Sequence, residues 1–407
     1  MNTATSTERR TSKQSSAAGV GAYLSRNLRD YGMMAALLII VLLFQILTDG
    51  KLLLPDNVSA LIKQNAYVLI LAIGMVIVIV AGHIDLSVGS VVAFVGGVCA
   101  IMMGNWHLPW LLAVVVSVLL GGLVGCWQGF WIAYVGIPAF IVTLGGMLIF
   151  RGLAIVLVGT TVAGLPSGFV AISNNALPNS LGFLASLDGV TLLIGVLAIA
   201  GLIVSQVRTR RSLLRHERKV EPFPAFVGKA AVFSLFIGYI AYVLASSSDG
   251  TPIVLIIVGA LVIMYSFVMA NTVIGRHVYA MGGNLPAAVL SGVKTKRTNF
   301  LIFVNIGLLA GVAAVVTTSR AGAGVAAAGQ NYELDAIAAA FIGGTAVSGG
   351  IGKVSGAMIG ALIMGVLNIG LSIMNVDAAW QMAIKGLVLL AAVALDILNK
   401  RRAGVSQ

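Results

Sequence analysis

Asp85 is the residue of this chain best placed to do chemistry. It lies in Ala81-Gly82-His83-Ile84-Asp85-Leu86-Ser87-Val88-Gly89-Ser90, a polar stretch between the apolar runs 66–81 and 86–103. A carboxylate there has two uses. It can cap the following helix by accepting hydrogen bonds from backbone N–H groups near Val88. It can also meet a passing polar solute, since an ionisable group at membrane depth is costly to bury in lipid. Both roles stay open, and Ser87 and Ser90 would share the second. The run 66–81 has 16 residues, about 24 Å of helix against a hydrocarbon core of about 30 Å. The break is therefore expected within the membrane or at its edge.

A second break lies at Ile342-Gly343-Gly344-Thr345-Ala346-Val347-Ser348-Gly349-Gly350-Ile351-Gly352. Non-helical backbone at membrane depth is tolerated only where protein buries it or a cavity borders it. Paired interruptions, one in each half of a chain, point to a translocation site. The stretch is not a phosphate loop. That motif needs G-x-x-x-x-G-K-[ST], whereas Gly352-Lys353 is followed by Val354 and Val347 stands five positions before Gly352. No H-E-x-x-H, G-x-S-x-G or Cys/His metal spacing occurs, and the four histidines are scattered. The chain is expected to hold no metal or cofactor, and to hydrolyse no ATP by itself.

The elements that position these breaks must be membrane helices. The chain is 59% hydrophobic and 9% charged, far below the roughly 25% charge of soluble domains. Apolar segments fall near 31–47, 66–81, 86–103, 108–135, 137–158, 190–207, 230–246, 252–270, 300–318, 334–347, 354–374 and 381–398. They predict an all-α polytopic bundle with 10–12 crossings and broken helices. A net charge of +12 could mean nucleic acid, but its placement argues against that partner. Of 25 Lys and Arg, 5 precede residue 30, 7 lie in 208–229, 4 in 271–299 and 3 in 400–402. Counting crossings from an inside N-terminus puts all four clusters in the cytoplasm, the positive-inside pattern. The expected organisation is a cytoplasmic tail at 1–30, a transmembrane domain at 31–398 with basic cytoplasmic loops at 208–229 and 271–299, and a cytoplasmic tail at 399–407. The first 30 residues lack an apolar core and a cleavage site, so they are not expected to act as a signal peptide.

The loops 159–189 and 48–65 would form a neutral polar outer face, either a docking surface or an ordinary solvated connection. Small residues at Gly121–Gly125 and Gly356–Gly360 allow close helix packing in lipid. Cys99 and Cys126 are expected to be reduced packing residues. Arg151 and Lys385 are expected to snorkel to the outer face. Asn305, Asn368 and Gln128 would hydrogen-bond between helices or border the pathway, and Asp396 would pair with Lys400 at i+4. The acidic residues other than Asp85 fall in loops and termini on this reading.

The residues then resemble a family. Gly82-His83-Ile84-Asp85-Leu86-Ser87-Val88-Gly89-Ser90 resembles the G-G-I-D-L-S-V-G-S signature of bacterial monosaccharide ABC-importer permeases, with His83 for the second Gly. Pro138-Ala139-Phe140-Ile141-Val142-Thr143-Leu144-Gly145 with Arg151-Gly152-Leu153 is similar to the family's P-x-F-I-x-T-L-G…R-G-L. Gly282-Gly283-Asn284, Ala287-Ala288 and Ser291-Gly292-Val293 resemble its G-G-N…A-A…S-G-I loop, and Leu334-Asp335-Ala336 running into Gly343-Gly344-Thr345 and Ser348-Gly349-Gly350 completes the set. The resemblance covers residues 55–398, and the long cationic insert at 208–246 is similar to the xylose or multiple-monosaccharide branch.

It implies an inner-membrane permease with both termini in the cytoplasm, paired with a second copy of itself. An ATP-binding subunit would sit on the cytoplasmic face, and a periplasmic sugar-binding protein would dock outside. Asp85, Ser87, Ser90, Phe140, Thr143, Thr345, Ser348 and Asn368 are the expected pathway lining. Gly283, Asn284, Ala287, Ala288, Ser291 and Gly292 are the expected ATPase coupling residues, on a short helix, with Pro286 where the general importer motif has Glu. Membrane lipid is the remaining partner. Two alternatives stand beside this reading: an importer permease for branched-chain amino acids or nucleosides, and an ion-coupled secondary transporter.

Overall fold

In hydrocarbon every backbone N–H and C=O must find its partner within the chain, so the apolar runs become helices. The computed structural model describes residues 28–402 except 185, 217–219 and 221, without the side chains of 28–31 and 395–402. The tails read at 1–30 and 399–407, and the Asp396–Lys400 pair, therefore lie largely outside the described residues. The helices are α1 (Leu28–Leu47), α2 (Pro55–Val80), α3 (Val88–Gly104), α4 (Trp110–Phe130), α5 (Ala139–Val158), α6 (Ser167–Asn174), α7 (Gly189–Arg215), α8 (Phe223–Ala245), α9 (Ile253–Asn271), α10 (Val273–Gly283), α11 (Leu285–Leu290), α12 (Thr295–Ala321), α13 (Tyr332–Ile342), α14 (Val354–Ile373) and α15 (Ala378–Arg402). Two short ribbons accompany them: β1 (Thr161–Val162) pairs antiparallel with β4 (Gly324–Val325), and β2 (Phe183–Leu184) with β3 (Leu187–Asp188). Among the described residues, eight helices are long and apolar enough to cross a membrane, and three shorter apolar ones join them, 32–47, 88–104 and 378–394. The all-α polytopic expectation holds.

The described chain divides into two compact units. One comprises 28–35, 54–56 and 177–251, the other 36–53, 57–176 and 252–402. The first is built on the α7–α8 hairpin. Asp188 is buried and caps α7, accepting from the N–H of Val190 at 2.8 Å and of Thr191 at 3.1 Å. At the same end, Ser248 donates to Asp56 from its N–H and its hydroxyl. Arg210 lies over the rings of Phe223 and Phe226. The segment read as a basic loop at 208–229 is helical over 208–215 and 223–229; the charged residues at the end of a long apolar helix do not stop it, because Arg and Lys are themselves good helix formers.

In the second unit α2, α3, α12 and α14 supply most of the core. Helix α4 crosses α12 at glycines on both sides. A Cβ on Gly125 would strike the backbone of Phe303 and Val304, and one on Gly307 the backbone of Gly121 and Gly125. The small-residue spacing read at Gly121–Gly125 thus has its counterpart at Gly307 and Gly311. Gly356 and Gly360 likewise let α14 meet the backbone of Gly343 and Ala339. Helix α4 ends in a π turn, Trp131–Val135, closed by Gly136 in the left-handed region.

Two further sequence expectations change at this level. Helix α2 starts at Pro55, well before residue 66, and its 26 residues make about 39 Å. Asp56, Asn57, Lys63 and Asn65 had excluded its first turns from an apolar count. The argument that a short helix places the first break inside the membrane therefore falls, and the short member of the pair is the 17-residue α3. The loop 159–189, expected on the outer face, is also no simple solvated connection. It contains α6, whose Phe169 is fully buried against Cys99, Met102, Met103, Ala113 and Val315, and Ser319 donates to the Phe169 carbonyl at 2.7 Å. Both cysteines are free, Cys99 buried and Cys126 half-buried.

Candidate functional site

Helix α2 ends in a left-handed Gly82 (φ 87°), with the N–H of His83 returning to the Val78 carbonyl at 3.0 Å. Beyond it Asp85 is 1% exposed. Its Oδ1 accepts from the Ser87 N–H at 2.8 Å and from the Ser87 hydroxyl at 2.7 Å. The carboxylate therefore folds the turn before α3. Its backbone partner is thus the N–H one residue before Val88, and Ser87, not Asp85, occupies the cap position, without a side-chain cap bond. Ser87 Oγ accepts in turn from Gln128 Nε2 of α4 at 2.7 Å, which makes a directed chain, amide to hydroxyl to carboxylate. Thr143 Oγ1 of α5 lies 3.4 Å from the Ile84 carbonyl, and the His83 ring meets Asn299 of α12 at 3.0 Å. Four elements thus hold one seven-residue break, and Gly146 leaves room for the Gln128 amide, since a Cβ there would sit 2.6 Å from it.

The second break, 343–353, folds back on itself through Ala346 N–H to the Ile351 carbonyl at 2.9 Å. The two breaks meet at the end of α2: Gly350 N–H donates to the carbonyl of Val80, its last residue, at 2.8 Å, and Gly349 lies against Gly82. Thr345 is buried beside this contact, and a Cβ on Gly352 would touch both it and Val80.

Of the expected pathway residues, the structure gathers Asp85, Ser87 and Thr143 at the first break and Thr345 at the second. Ser90 is buried with its hydroxyl unpartnered. Phe140 is 55% exposed, and Ser348 is exposed at the tip of the second break. Asn368 stands apart and donates to Asn65 at 2.8 Å. Of the other two residues expected to bond between helices, Gln128 does so at the first break, and Asn305 accepts from the Tyr265 hydroxyl.

The expected coupling segment forms two helices. Asn284 caps α11, its Oδ1 accepting from Ala287 N–H at 2.9 Å. Ala288 is buried, Gly292 is left-handed (φ 81°), and Leu285, Val289 and Leu290 are exposed at 50%, 52% and 90%.

A further polar cluster escaped the sequence reading. Asp335, in the first turn of α13, is buried; it accepts from Tyr67 Oη at 2.7 Å and pairs with Lys385 of α15 at 3.2 Å. Tyr67 stacks on Tyr332. Lys385 therefore does not snorkel, because a buried carboxylate is within its reach. Arg151 does not snorkel either: its guanidinium donates to the carbonyls of Ala328 at 2.6 Å and Gly329 at 3.0 Å, fixing the segment ahead of α13. The signal was there in Glu333 and Asp335, at the head of an apolar run; α13 starts at 332, so they lie within the helix.

An apolar cavity of about 300 Å³ lies between α9, α10, α12 and Ile77, with Tyr265 and Asn305 in its wall. A polyol would lose most of its hydrogen bonds there, so this is no sugar site.

Residues 57–393 match the family described as branched-chain amino acid transport system / permease component. The chain belongs to this permease family. It is 41% identical to the xylose transport system permease protein of Escherichia coli (strain K12) over 94% of this chain and 95% of that one. It is 31% identical to the D-allose transport system permease protein of the same strain, covering 90% and 91%. With that strain's ribose import permease protein it shares 30% identity, covering 92% and 95%. No solved structure matches the chain. The permease is a multi-pass inner-membrane transport subunit of the sugar ABC-importer type.

Proposed function

We propose that this permease forms, with a second copy of itself, the membrane pathway for a monosaccharide, a pentose such as xylose being the first candidate. A periplasmic sugar-binding protein delivers the sugar, and a separate ATP-binding subunit drives its passage. The N- and C-termini and the segments 208–229 and 271–299 face the cytoplasm. The observation that carries the reading is the meeting of the two breaks at Val80 and Gly350, next to the segment expected to receive the ATPase. The identity to a xylose permease over nearly the whole of both chains supports the substrate class. Asp85, Ser87, Thr143 and Thr345, with Gln128, are the pathway residues this geometry favours. Gly283, Asn284, Ala287, Ala288, Ser291 and Gly292 form the receiving surface.

The test is reconstitution. The permease alone in lipid neither binds nor hydrolyses ATP; with its ATPase and xylose-loaded binding protein, hydrolysis rises and xylose accumulates in the vesicles. ATP turnover by the permease alone would overturn the reading. Leucine uptake without xylose uptake would move it to the amino-acid importers that the family's description names. Uptake abolished by a protonophore at constant ATP would favour an ion-coupled carrier.

A further inference from the structure

Tyr279 and Gly282 stand on α10, one residue's breadth from α11, and both touch the breaks. Tyr279 Oη donates to the Gly352 carbonyl at 2.6 Å. Gly282 lies flat against two backbones: a Cβ there would overlap the Val80 carbonyl oxygen and sit 2.6 Å from Gly350 N. These are the two atoms whose hydrogen bond joins the breaks. Gly350 (φ 74°) in turn lies against Gly283, and Gly349 (φ 80°) against Gly82 and Gly282. Backbone thus meets backbone, with no flexible side chain between.

We propose that α10 is the strut through which movement of α11 reaches both breaks, and that the Tyr279 hydroxyl is the positioning group that fastens it to the second break. The inference rests on α11 receiving the ATPase. Packed backbone transmits displacement because close-packed interiors shift between discrete arrangements and do not deform continuously. At Gly282 the contact is steric and holds against a push. A pull needs a bond that resists separation. Among the described residues, the Tyr279 hydroxyl supplies a side-chain bond from α10 to the second break. Without it the strut can press on the breaks, but its return stroke is not followed.

The experiment uses the reconstituted complex and measures sugar moved per ATP hydrolysed. Tyr279→Phe keeps the ring and removes one hydrogen bond. Hydrolysis stimulated by the loaded binding protein should persist while sugar moved per ATP falls about fivefold, the scale of one such bond. The control is Tyr265→Phe, whose lost hydroxyl serves Asn305 in the cavity wall; its ratio should not change. An unchanged ratio for Tyr279→Phe overturns the strut. A fall in hydrolysis and uptake together, at constant ratio, also overturns it, since the hydroxyl would then serve folding or docking. Failure of the underlying reading is seen separately: the ATPase would bind the Ala288→Glu permease as tightly as the unaltered one.

Discussion

Lys385 on α15 and Asp335 on α13 form an ion pair at 3.2 Å, the carboxylate almost wholly buried and the ammonium mostly so. Tyr67 on α2 donates to the same oxygen, Oδ2, that accepts from Lys385. Three helices are thereby tied at one buried charge, in a bundle whose apolar faces alone give little preference for one register in lipid.

Breaking the pair should be costly in one direction and cheap in the other. Lys385→Met leaves the carboxylate buried without its counter-charge and should lower stability by about 3–5 kcal/mol. Adding Asp335→Asn to Lys385→Met should restore much of that loss. Thermal melting in detergent checks both; equal loss in the single and double variants would show that the pair carries no charge constraint.

Asp85 is predicted to be replaceable by Asn but not by Leu. An amide oxygen can accept from the Ser87 N–H and hydroxyl as the carboxylate does. Leu leaves both donors buried without a partner, at about 1–3 kcal/mol each. Sugar uptake at matched protein levels should survive Asp85→Asn and disappear in Asp85→Leu. If Asn is as damaging as Leu and a protonophore also stops uptake, the carboxylate is titrating as part of the cycle.

At the α4–α12 crossing, Gly125→Ala should destabilise the permease, because its Cβ meets backbone that has no rotamer to yield. Gly201→Ala on α7 meets nothing within 4 Å and should stabilise by up to about 1 kcal/mol through helix propensity. Melting temperatures should move in opposite directions.

The segment 271–299 is predicted to be reachable from the cytoplasm alone. An Asn284→Cys permease should react with an impermeant thiol reagent in inverted vesicles and not in intact cells. Gly292→Glu strains a left-handed residue (φ 81°) and should abolish uptake while leaving the protein in the membrane.

What the sequence disclosed and what it hid follow one physical line. Apolar length revealed the crossings, and Gly/Ser-rich interruptions revealed both breaks, because lipid punishes polar backbone wherever it lies. The helix starts at Pro55 and Tyr332 were hidden, since polar first turns look like loops until the packing around them is known. The partners of Lys385 and Arg151 were hidden for a related reason. A long cationic side chain has two ways to satisfy its charge, and only the fold shows that Asp335 and the Ala328 and Gly329 carbonyls lie nearer than the headgroups. Gln128 was legible as a helix–helix bond, but its target, Ser87, lies 41 residues away in sequence.

The exposed side chains of α11 bear on the life of the protein before transport begins. Leu285, Val289 and Leu290 make an apolar edge beside Lys294, Lys296 and Arg297, a surface that water disfavours and that a soluble partner would cover. On the proposed reading that α11 receives the ATPase, a permease copy made in excess of it would keep that edge bare, and so would carry a visible mark of being unassembled. Proteolytic surveillance of the membrane can read such a mark. Subunit stoichiometry would then be set by turnover of orphan copies as much as by their rate of synthesis.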